Sequence, residues 1–136
     1  MIIGGALLES EEFKRGFEGP SDELRHFKGL TLSQLEALIS FGRDDASLID
    51  TESDQNGSPT CWQFATFMRY WPGVTCVGYI VAESRGDGRV QIEGLDFDGI
   101  VSAELERALR KLCKGAEARP SEFNFDESTG FHVWWD

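Results

Sequence analysis

Two stretches of alternating apolar and polar residues constrain the fold more than any other feature of the chain. Val74–Ser84 and Arg89–Leu95 flank the sequence Gly86-Asp87-Gly88, and this combination predicts a β-hairpin. Pairing Arg85 with Arg89 would leave Gly88 at the left-handed position of a three-residue loop. One face of the hairpin would then carry Ile80, Ala82, Val90 and Ile92. Such a face needs a second layer to cover it.

A second hairpin is predicted at the C-terminus, from Glu122–Asp126 and Phe131–Trp135 around Ser128-Thr129-Gly130. With the same type of loop, Asp126 would face His132 as a cross-strand pair. One face would be apolar, with Phe123, Phe125, Val133 and Trp135. Trp134 would lie beside His132 on the other face.

Helices are predicted on both sides of the first hairpin. Ser102–Lys114 has apolar residues at helical spacing, acidic residues in its first turns and basic residues toward its end. Leu32–Phe41 follows residues that fit a capping box, such as Thr31 with Gln34. Weaker helical patterns cover Ala6–Arg15 and Asp22–Phe27. We therefore expect one α+β domain over residues 1–136, with an antiparallel sheet of about five to six strands. The N-terminal helices and the helix in the C-terminal half would cover one face of this sheet.

Residues 60–70 fit two structures. Aromatic residues and threonine favour a strand, and Asn56-Gly57 would join it to another strand at Ser47–Glu52. As a helix, the segment would place Phe64, Phe67, Met68 and Trp71 on one stripe, with Ser58 as N-cap and Pro59 in the first turn. The strand is the favoured interpretation.

The helical alternative carries a local resemblance to two families of thiol enzymes. Gln55, Cys61, Trp62 and Phe64 are similar to the residues around the nucleophile of papain-like cysteine proteases. The sequence Cys61-Trp62-Gln63-Phe64-Ala65 also resembles the corresponding segment of transglutaminases. The resemblance implies Cys61 as nucleophile, Gln55 as oxyanion donor and His132 as general base. The favoured interpretation is instead a buried structural thiol.

The balance of charges gives the leading functional hypothesis. The chain has 24 Asp and Glu against 13 Lys and Arg, a net charge of −11, which argues against direct binding of nucleic acid. Two stretches contain acidic residues and no basic ones, and their carboxylates are Asp44, Asp45, Asp50, Glu52, Asp54, Glu93, Asp96, Asp98, Glu104 and Glu106. We expect these carboxylates to form one face that binds a basic protein surface. Solubility or adaptation to salt is the alternative explanation of the acidic excess. By analogy of size and charge, the chain would be a non-catalytic binding or inhibitor module, as immunity proteins are.

Other classes of site are less favoured. The spacing of oxygen ligands in Asp50–Gly57 is similar to a calcium loop, but Gln55 and Cys61 occupy the places of its glycine and glutamate. No metal and no cofactor is predicted. A small-ligand pocket lined by tryptophans is a further alternative. Three cysteines without close spacing indicate a reducing, cytoplasmic setting, and no apolar stretch is long enough to cross a membrane.

Overall fold

The structure, a computed structural model, describes residues 2–3, 25–44, 55–81 and 89–136. Its strands are β1 (Ile2–Ile3), β2 (Arg25–Leu30), β3 (Thr75–Val81), β4 (Arg89–Asp98), β5 (Glu122–Asp126) and β6 (Gly130–Trp134). Its helices are α1 (Leu32–Asp44), α2 (Cys61–Tyr70) and α3 (Ala103–Gly115), with a short 3-10 turn at Gln55–Gly57. None of these helices combines the length and apolarity required to span a membrane.

The strands form one open sheet in the order β1-β2-β3-β4-β6-β5. β2 to β6 pair antiparallel with their neighbours, whereas the two-residue β1 pairs parallel with β2 at the edge. The predicted α+β class and the antiparallel sheet of five to six strands are therefore confirmed.

One face of the sheet packs against the helices. Its strands contribute fully buried apolar side chains, among them Phe27, Leu30, Ile80, Ile92, Leu95 and Val133. These residues belong to one cluster that also contains Leu35 of α1, Phe64 of α2 and Leu109 of α3. Apolar side chains of this kind provide most of the free energy of folding.

Side-chain caps fix where the helices begin. Thr31 and Gln34 form the predicted capping box at the start of α1, with each side chain bonded to the other residue's backbone N–H. The Ser102 hydroxyl accepts a hydrogen bond from the Leu105 N–H, so α3 begins one residue after the predicted start.

Residues 61–70 are a helix, and the favoured strand at residues 60–70 is wrong. Thr60 caps this helix and forms a capping box with Gln63, whose side chain accepts from the Thr60 N–H. The helix buries Phe64, Phe67 and Met68 in the core. Aromatic composition favoured a strand, but the cap and the 3.6-residue stripe outweigh that preference.

Both hairpins form, and both have registers that differ from the predicted ones. Val81 pairs with Arg89, so the expected Arg85–Arg89 pair is wrong. In the second hairpin Asp126 pairs with Gly130 rather than His132. The reason is local, because the Asp126 carboxylate accepts hydrogen bonds from the N–H and hydroxyl of Ser128 and thereby initiates the turn.

The N-terminal predictions fare differently. The helical turn at Asp22–Phe27 is wrong at its end, because β2 begins at Arg25 and brings Phe27 into the core. The helix predicted at Ala6–Arg15 and the strand at Ser47–Glu52 lie outside the described residues.

Candidate functional site

The second face of the sheet is polar, because alternate residues of each strand project away from the helices. The residues that matter most on this polar face are His26, Lys28, Glu93, Asp96, His132 and Trp134. A β-bulge sets their arrangement, since Gly94 pairs with Val77 but Ile92 pairs with Gly78. Glu93 is the extra residue of the bulge and therefore lies on the same face as Asp96.

His132 lies between two carboxylates. Its Nδ1 is hydrogen-bonded to Oδ1 of Asp96 on the neighbouring strand β4. Its Nε2 lies 3.5 Å from Oε2 of Glu122 on β5. The predicted partner Asp126 is thus replaced by Asp96 and Glu122, as a consequence of the shifted register and the strand order.

Glu93 and His26 form a second imidazole–carboxylate pair, with 3.5 Å between His26 Nδ1 and Glu93 Oε1. The Glu93 side chain is only 3% exposed. Burial, and secondarily the negative charge of Asp136, raise the pKa of Glu93 to about 7, while the indole of Trp134 acts in the opposite direction. Glu93 therefore exchanges its proton near neutral pH.

Trp134 separates the two imidazoles. Its ring centroid lies 5.8 Å from that of His26 and 5.8 Å from that of His132. The predicted neighbourhood of Trp134 and His132 is confirmed. His26 is additionally in ring contact with Tyr79 at 5.8 Å.

These residues surround a pocket of about 280 Å³, which we call the inner pocket. Three buried polar atoms on its lining residues have no hydrogen-bond partner: His26 Nδ1, Glu93 Oε1 and Trp134 Nε1. Buried polar atoms are nearly always satisfied in folded proteins. These atoms surround one carboxylate, since His26 Nδ1 lies 3.5 Å from Glu93 Oε1 and the Trp134 indole acts on the same group. The carboxylate therefore has close polar neighbours but no full hydrogen bond at Oε1, and a polar ligand in the pocket would supply one.

An open cleft of about 840 Å³ adjoins the inner pocket, and we call it the acidic cleft. Its lining includes three carboxylates (Asp96, Asp98 and Asp126) together with Lys28 and His132. It shares Lys28, Asp96 and His132 with the inner pocket. Hydrogen bonds from Ser128 hold the pKa of Asp126 below its usual range, so this exposed carboxylate stays ionised.

The carboxylates predicted to form one binding face occupy several places. Asp45, Asp50, Glu52 and Asp54 lie outside the described residues, and Asp44 is the last residue of α1. Glu93 is buried, whereas Asp96 and Asp98 line the acidic cleft. Glu104 and Glu106 lie on α3, on the other side of the sheet, where they pair with Arg107 and Arg110.

The structure separates the two residues of the thiol-enzyme alternative. Cys61 is buried in the core on the helical side of the sheet, next to Cys76, whose thiol pKa burial raises well above its usual value. His132 lies on the polar face with Asp96. Gln55, the expected oxyanion donor, begins the 3-10 turn.

The tryptophans do not share one pocket. Trp62 and Trp71 line a groove of about 460 Å³ between α2 and α3, and Trp135 is fully buried in the core. Trp134 alone among the four lines the inner pocket. Within the described residues no group of three or more acidic, histidine or cysteine side chains is arranged to hold a metal ion.

Three residues at the site were not identified from the sequence: His26 and Lys28 on β2 and Glu122 on β5. The alternation in His26-Phe27-Lys28 was the available signal for β2. Comparisons of the chain with protein-family models, curated proteins and solved structures found no match.

Proposed function

We propose that this chain is a non-catalytic binding module that takes a basic segment of a partner protein in the acidic cleft. One observation carries the proposal: among the described residues, three carboxylates and one lysine, Lys28, line the cleft. Glu122 adds a fourth carboxylate at its border through His132. This arrangement attracts cations and repels anions.

The proposal keeps the predicted class of partner and changes the binding face. Asp96 and Asp98 remain part of it, and Glu122 and Asp126 join them. Glu104 and Glu106 leave it, because they lie on α3 and pair with arginines. A cytoplasmic inhibitor of the immunity-protein kind, which occupies the basic surface of another protein, would use such a face.

The test measures binding of a capped nona-lysine peptide by isothermal titration calorimetry at low ionic strength. A triple variant of the cleft (Asp98→Asn, Glu122→Gln, Asp126→Asn) is compared with a matched variant outside the cleft (Glu104→Gln, Glu106→Gln, Glu117→Gln). Both remove three negative charges. We expect the cleft variant to bind about tenfold more weakly and the matched variant to bind within about twofold of the original chain.

Equal losses in the two variants would show that the peptide responds to net charge alone, and the proposal would fail. It would also fail if the original chain did not bind the peptide. Raising the ionic strength should weaken binding to the original chain more than binding to the cleft variant, because exposed charges are screened.

A further inference from the structure

We propose that the inner pocket receives the guanidinium group of an arginine side chain carried by the basic partner. This inference rests on the proposed function, because the arginine would enter from the acidic cleft. The route is short, since the two cavities share Lys28, Asp96 and His132 as lining residues.

The unsatisfied atoms indicate which group a ligand must bring to the inner pocket, namely a hydrogen-bond donor for Glu93. Glu93 Oε1 is a buried acceptor in a side chain that is 3% exposed, and its neighbour His26 Nδ1, at 3.5 Å, forms no hydrogen bond with it. Leaving such an atom unpaired costs free energy, and a ligand that donates to it recovers that cost. The volume of about 280 Å³ also far exceeds the ~10–15 Å³ that one water molecule needs. The pocket is therefore large enough for a planar group of several atoms.

A guanidinium group fits the pocket better than an ammonium group does. It has five N–H donors in a plane, which can serve the carboxylates of Glu93 and Asp96 together. Its flat face can stack on an aromatic ring, and Trp134 provides one on the pocket wall. It is also more weakly hydrated than an ammonium group and loses less on burial.

The remaining unsatisfied atoms are compatible with this ligand. An ionised carboxylate has about four acceptor sites, so Glu93 can accept from the guanidinium and also from the indole N–H of Trp134. That indole already favours the ionised form of Glu93. The His26 imidazole, 3.5 Å from Glu93, can donate or accept according to its tautomer.

Binding should release protons near neutral pH, because the cation favours ionised Glu93, whose pKa is about 7 in the free protein. Other groups that face Glu93 or its neighbours titrate or carry charge as well: His26 and Lys28 on β2, Tyr79 on β3, Asp96 on β4, Glu122 on β5, His132 on β6, and Asp136. The contribution of Glu93 is therefore the part of the proton release that Glu93→Gln removes.

The experiment uses three peptides of nine residues. The central residue is lysine, arginine or citrulline, and the other eight residues are lysine in each peptide. Citrulline has the shape of arginine without its charge. We expect the arginine peptide to bind about tenfold more tightly than the lysine peptide, and the citrulline peptide to bind most weakly. Glu93→Gln should abolish the preference for arginine and leave the lysine peptide unaffected, whereas the exposed control Glu117→Gln should change neither.

A second measurement locates the arginine. Calorimetry near pH 7 in buffers of different ionisation enthalpy should show release of about half a proton that depends on Glu93. The NMR signal of the Trp134 indole N–H should shift with the arginine peptide and not with the lysine peptide.

The outcomes separate this inference from the proposed function. Equal binding of the three peptides, unchanged by Glu93→Gln, would overturn the inference and leave the proposed function standing. If no peptide bound, the proposed function would fail, and capped arginine amide alone would decide the inference. A shift of the Trp134 indole signal by that compound would support an arginine pocket, and no shift would overturn it.

Discussion

The two faces of the sheet use the same strands for opposite purposes. On the helical face Leu95 and Val133 are fully buried among apolar side chains. On the polar face their neighbours Asp96 and His132 pair with each other beside a cavity. The alternation of side chains along a strand allows one residue to stabilise the fold while the next serves a ligand.

The two faces also differ in how much they contribute to the stability of the fold. Every apolar residue of the helical face adds favourable burial, whereas Glu93 is buried on the polar face with an unsatisfied oxygen. Unfavourable arrangements of this kind are characteristic of functional sites. The polar face is therefore the part of the sheet that substitutions should be able to stabilise.

The largest expected effect distinguishes two adjacent residues on opposite faces. Leu95 is fully buried in the core, so Leu95→Ala should lower the free energy of unfolding by about 2–5 kcal/mol. Asp96→Asn should cost only about 1 kcal/mol, because it weakens one hydrogen bond to His132. Denaturant unfolding measures both. If the two substitutions lower the free energy of unfolding equally, the proposed difference between the helical face and the polar face is wrong.

A substitution on the polar face should raise stability instead. Burial raises the pKa of Glu93 from 4.5 to about 7, so the folded state holds this proton more tightly than the unfolded state does. The resulting stability is fully present below the unfolded pKa and is lost as the pH rises through about 7. Glu93→Gln should therefore stabilise the protein by about 2–3 kcal/mol near pH 8 and by much less near pH 4.

The measurement is denaturant unfolding of both proteins across this pH range. Exposed Glu117→Gln is the matched control and should shift stability equally at both ends. A gain from Glu93→Gln that does not depend on pH would mean that the Glu93 carboxyl has an ordinary pKa.

Much of the fold could be predicted because its signals are local. The helix at α3 and the strands of both hairpins follow from hydrophobic period and caps. The registers could not be predicted. That of the second hairpin depends on how Asp126 bonds Ser128, and the pairing of β3 with β4 shifts by a further residue at the bulge next to Glu93. The helix at residues 60–70 could have been predicted from a local signal, because Thr60 and Gln63 fit a capping box.

The site was less predictable than the fold. Asp96 and His132 were both singled out, but their contact depends on β4 lying next to β6 in the sheet. The burial of Glu93 depends on the bulge in β4. The pairing of Glu93 with His26 depends on where β2 lies in the sheet. Strand order is a property of the folded chain as a whole, and the sequence pattern of one strand does not contain it.

A smaller effect on stability is expected from a substitution in the hairpin formed by β5 and β6. Gly130 has a φ of 130°, and a Cβ there would overlap the carbonyl oxygen of Phe97 on β4. Gly130→Ala should lower the free energy of unfolding by about 1–2 kcal/mol. It should also weaken peptide binding, because it displaces β6, which carries His132. Loss of stability without any change in binding would show that the cleft does not depend on this hairpin.

The smallest effect tests whether charge acts through the polar face alone. Glu106 pairs with Arg110 four residues later on exposed α3, and Arg110 lies over the ring of Phe123 at 5.2 Å. Glu106→Gln should cost no more than about 0.5 kcal/mol, as expected for a pair of this spacing. It should leave the affinity for nona-lysine unchanged, whereas Asp98→Asn, with the same change in net charge, should weaken it about two- to threefold. If Glu106→Gln weakened binding as much, the carboxylates would act as a diffuse negative charge, and the difference between the two faces would lie in packing alone.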